Sequence, residues 1–109
     1  MANAFKNYLA VGVGTSANAV YSPVASGIQS TVIGMTIANV NTVPIYASVI
    51  LSSGSSNAYV VKSALVPTGG SLVPIGGDQK LVMEQNDVLY VVCDKASSAD
   101  VIISVLEIT

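Results

Sequence analysis

Short apolar runs rich in valine and isoleucine are broken by clusters of Gly, Ser, Asn and Pro about every 8 to 12 residues. This rhythm constrains the fold more than any other feature of the chain. Val and Ile together supply about a quarter of the residues, and β-branched side chains suit a pleated sheet better than a helix. No window of helical length carries an apolar stripe with a polar opposite face. The reading is all-β: a single antiparallel β-sandwich, jelly-roll or Greek-key like, of about 8–9 short strands. Strands are expected over 5–13, 19–22, 31–39, 45–51, 58–66, 71–75, 80–84, 88–94 and 100–108. Pro23 is expected to stop the second, and Pro74 marks the sixth as an edge strand. The tract from Ser52 to Asn57 reads as a flexible turn. The 109 residues form one domain, 1–109, with residues 1–15 as an arm or edge strand contacting a neighbour.

The last expected strand carries apolar residues on both faces. Val101, Ile103 and Val105 alternate with Ile102, Leu106 and Ile108. A strand with one face in water should alternate apolar with polar. Both faces are therefore expected to be covered, by the domain itself or by another subunit. The run from Val88 to Cys93 has the same character. Charged residues make up only 9% of the chain, far below what a comfortable monomer surface carries. An obligate assembly is the simplest account of both facts.

Composition also narrows the chemistry. Four Lys, no Arg and a net charge of −2 argue against a nucleic-acid partner. Histidine, the commonest general base and metal ligand, is absent. No stretch approaches the length of a membrane-spanning helix, and no signal peptide is evident. The lone Cys93 lies in an apolar run and is expected to be a buried, unreactive thiol.

The remaining candidates all have a plainer explanation. Gly12-Val13-Gly14 lacks the third glycine and the helix of a dinucleotide fingerprint. Gly69-Gly70 and Gly76-Gly77-Asp78 read as turns rather than anion-binding nests, with Asp78 capping its own loop. The carboxylates Asp78, Glu84, Asp87, Asp94, Asp100 and Glu107 fall mainly at strand ends, where acidic residues usually face water. Two carboxylates suffice for a glycosidase, but these strand-end positions and only five Tyr and one Phe to stack a sugar argue against one, and Asp78, Glu84 and Asp87 lack EF-hand-like calcium spacing. Lys62 and Ser63 are neighbours on a strand and point to opposite faces, so they cannot act as a Ser–Lys pair. No catalytic, cofactor-binding or metal-ligating residue is assigned, and the chain is not expected to be an enzyme.

Four segments carry a resemblance. They are Thr31 to Asn39, Tyr59 to Leu72, Gly76 to Asp87 and Ser97 to Ile108. In these strand-and-turn patterns the chain resembles small virion proteins of tailed bacteriophages. The resemblance implies a β-sandwich component of the particle, most simply a capsid decoration or cement protein that stabilises the shell as a homo-oligomer, with a trimer as one form. It implies the major capsid protein or other virion proteins as partners, and assembly in the bacterial host cytoplasm. Alternatives are a neck, tail or fibre-base protein, or a small lectin-like module binding glycans. No individual functional residue is carried over, because such roles reside in surfaces.

Overall fold

A computed structural model describes residues 3–22 and 28–108. Nine strands and no helix are present among the described residues: β1 (Asn3–Val13), β2 (Asn18–Tyr21), β3 (Gln29–Asn39), β4 (Ile45–Ser53), β5 (Ser56–Val66), β6 (Ser71–Ile75), β7 (Leu81–Met83), β8 (Val88–Cys93) and β9 (Ala99–Ile108). All strand pairs are antiparallel. Pro23, expected to stop the second strand, lies outside the described residues, as do residues 1, 2 and 109.

The pairing has a simple logic. The first strand pairs with the last (β1–β9), the second with the last but one (β2–β8), and β3 with β6 and β7. The innermost strands, β4 and β5, form a hairpin. The chain is thus one long antiparallel ribbon folded back on itself. Rolling that ribbon brings β3 beside β9 and β4 beside β8. The result is two sheets, ordered β1-β9-β3-β6 with β7 also on β3, and β2-β8-β4-β5. This is the jelly roll, a double-sheet architecture of two Greek keys.

Period-two alternation builds the core. Val101, Ile103 and Val105 of β9, with Val32, Met35 and Ile37 of β3, point inward from the first sheet. Ile45, Ala47 and Val49 of β4, with Leu89, Val91 and Cys93 of β8, meet them from the second. All are buried. The two-sided apolar pattern of the last strand divides accordingly: one face is the domain's own core, and Ile102 on the other face is 51% exposed.

Two local expectations are corrected. The Ser52–Asn57 tract is not a flexible turn. Ser52 pairs with Asn57 and Ser53 with Ser56, leaving a loop of Gly54 and Ser55 alone. Gly54 has φ +61 while Ser55 does not enter positive φ, the pattern of a type II′ hairpin turn. In addition, the Gly76–Gln79 turn is closed by the Gln79 amide donating to the Gly76 carbonyl at 3.1 Å rather than by the Asp78 carboxylate, and it is Asp87 that caps the following turn. Its Oδ2 accepts from the Glu84 amide at 2.9 Å, while the Asp87 amide donates to the Glu84 carbonyl at 3.0 Å. Asp87 is buried and closes the turn that leads into β8.

Candidate functional site

Register sets which side chains share the outer face of the first sheet. Phe5 lies opposite Leu106, which lies opposite Thr31, which lies opposite Val82. Two rows further along, past Asn7, Ser104 and Gly34, Leu9 lies opposite Ile102 and Ile102 opposite Thr36. The first row crosses the sheet from β1 to β7, and the second runs from β1 to β3. Phe5 is 75% exposed and Val11 76%, and Leu9, Val82 and Ile102 are each more than half exposed. The outer face of a sheet in water should be polar on every second residue. Here the alternate positions from Phe5 to Leu9 and from Ile102 to Leu106 are apolar or uncharged.

Charge is sparse on that face for a traceable reason. The strands β1, β3 and β9 contain three charged residues, Lys6, Asp100 and Glu107. Two of these are on the inward register. Lys6 lies opposite Val105, and Glu107 follows Val105 by two positions. They meet each other, with Lys6 Nζ 3.2 Å from Glu107 Oε1. The third, Asp100, accepts from the Gly12 amide at 3.1 Å, where the β1–β9 register shifts. The middle of the outer face therefore carries no charge. Exposed apolar side chains, Phe5 on one side and Leu9 and Ile102 on the other, thus flank an uncharged row of Asn7, Ser104 and Gly34.

The Glu107 cluster fixes one end of the sandwich. Glu107 Oε2 accepts from Tyr21 Oη at 2.7 Å and from Tyr8 Oη at 2.9 Å. Tyr21 Oη also lies 2.6 Å from Ser30 Oγ. The two tyrosine rings pack at 4.8 Å between centroids. Burial pushes the Glu107 carboxyl upward, but donation from Tyr21, Tyr8 and Lys6 outweighs it and holds the group below the usual glutamate range. Burial, reinforced by the Glu107 carboxylate, pushes both tyrosine hydroxyls up; at Tyr21 the Ser30 hydroxyl opposes this without reversing it. Both therefore stay protonated donors. The cluster is fully paired, with no nucleophile or open ligand position, and its role is to tie β1, β2, β3 and β9 together.

Sequence reasoning placed Glu107 among carboxylates facing water, whereas it is buried. The signal was present, because Glu107 continues the inward series 101, 103, 105. The other acids are dispersed, and no group of three or more Cys, Asp or Glu able to hold a metal exists among the described residues. Gly69 and Gly77 adopt positive φ in turns. Cys93 is buried, and desolvation pushes its thiol up.

In comparisons with known proteins, the chain matches no described family, no curated protein and no solved structure.

Proposed function

We propose that this chain is a structural protein of a tailed-phage virion. It acts as a capsid decoration or cement protein, assembles as a homo-oligomer and docks on the major capsid protein. The observation that supports this most is the uncharged middle of the first sheet's outer face with its exposed Phe5, Leu9, Val82 and Ile102, carried on a rigid two-sheet body with short loops. Rigid elements lose little conformational freedom on docking, so burial of such a face is converted efficiently into association. Jelly rolls serve in viral capsid and lectin domains, and that likeness is an analogy of fold. The role is carried by surfaces and requires no cofactor. A neck, tail or fibre-base position would use the same surface at a different address.

The test is mass spectrometry of purified particles together with labelled-antibody electron microscopy. Label over the head supports the decoration role. Label confined to the neck or tail replaces it with the alternative, and absence from particles overturns the proposal.

A further inference from the structure

The four sheet edges differ in how they are protected. β2 has four residues and a register shift, and β6 has five residues with Pro74 among them. β7 has three residues. β5 is long but its pairing with β4 shifts twice, and Ser63 within it has φ 52. Short strands, prolines and bulges are the devices that stop an edge from recruiting another chain. β1 has none of them over eight consecutive residues: its register with β9 is unbroken from Asn3 to Ala10. Its single charge, Lys6, is paired with Glu107. Among the described residues no strand occupies its other side.

We infer that β1 pairs antiparallel with β1 of a second copy, about a two-fold axis at Asn7, joining the first sheets of two subunits into one continuous sheet. This rests on the homo-oligomeric part of the proposed function and names the partner and the register.

Two constraints select the register. Free amide and carbonyl groups on a strand edge belong to alternate residues, so a symmetric pair must set residues of the same parity opposite each other. The centre is then Lys6, Asn7 or Tyr8. Centring on Lys6 sets two ammonium groups directly opposite, which is repulsive. Centring on Tyr8 sets Asn7 against Leu9 and draws in the register shift that follows Ala10. Centring on Asn7 sets Phe5 against Leu9 twice, Lys6 against Tyr8 twice and Asn7 against itself. The Phe5–Leu9 pairs then extend the apolar outer rows across the junction. Seven residues paired this way form about six to eight hydrogen bonds, within the usual count for a stable interface.

Engineered disulfides read the register directly, because directly opposed Cα atoms lie about 4.5–5.5 Å apart, inside the range a disulfide spans. All three positions are exposed, so the variants should fold. Under mild oxidation, Asn7→Cys should convert most of the protein to covalent dimer. A mixture of Phe5→Cys and Leu9→Cys should cross-link, whereas either alone should not, since its own two cysteines would lie roughly 14 Å apart. Wild type, carrying only buried Cys93, is the control. An Asn7→Cys protein that stays uncross-linked while wild type sediments as an oligomer overturns this inference and leaves the oligomeric reading standing. Cross-linking of Phe5→Cys alone as readily as the mixture overturns the register. A monomeric wild type overturns both.

Discussion

Tyr21 of β2 donates its hydroxyl hydrogen to Glu107 Oε2 of β9 at 2.7 Å, a buried bond that joins the two sheets. The same carboxylate oxygen accepts from Tyr8 of β1, which draws the first strand onto the end of the core. The β1 edge strand is thus held at its inner side by a polar cluster, while Phe5, Asn7 and Leu9 point outward.

Removing the Tyr21 hydroxyl leaves buried Ser30 without its partner at 2.6 Å and takes one donor from Glu107. Leaving a buried polar group unsatisfied costs about 1–3 kcal/mol. Tyr21→Phe should lower the unfolding free energy by that amount, read as a lower urea midpoint with an unchanged slope.

Glu107 gives a pH dependence with a definite sign. Its folded pKa lies below the ordinary glutamate value of about 4.3, so the unfolded chain binds its proton first. The stability it contributes is complete above that value and is lost as pH falls through the lower folded pKa. Urea midpoints measured from pH 7 downward should hold until the ordinary glutamate range and then drop. Glu107→Gln should remove part of the drop while costing stability at pH 7.

Ile102 and Ile103 are adjacent and should behave oppositely. Ile103 is fully enclosed by the core, and truncation to Ala should cost about 2–5 kcal/mol. Ile103→Asp should fail to fold. Ile102 faces outward, and Ile102→Asp should retain the β-sheet circular dichroism spectrum and cooperative unfolding of wild type.

Cys93 should label slowly with a thiol reagent in native buffer and fast in denaturant. It is buried on β8, and burial raises its pKa, so little thiolate is presented. Rapid native labelling would contradict its placement.

Much of the fold was legible because alternation and turn residues are local signals. All nine expected strands are present, and the inward series Val101, Ile103, Val105 follows from period two alone. The pairing order was not legible beyond its class, since β1 meets β9 across the whole length of the chain and no local pattern encodes that contact. The Ser52–Asn57 tract was misread because serine is a turn former in isolation, whereas pairing across Gly54 extends both strands. Glu107 was misread because a carboxylate near a strand end usually faces water. Tyr8 and Tyr21, the donors that permit its burial, lie nearly a full chain length away in sequence. The exposure of Phe5, Leu9 and Ile102 needed the register, because an apolar residue on a strand gives no sign of which face is covered.

The central claim is that the first sheet's outer face and its β1 edge are contact surface, and sedimentation velocity at micromolar concentration tests it most directly. Wild type should sediment as a discrete oligomer, and Leu9→Asp, altered at an exposed position of β1, should sediment as a folded monomer. A wild type that remains monomeric at that concentration would contradict the account.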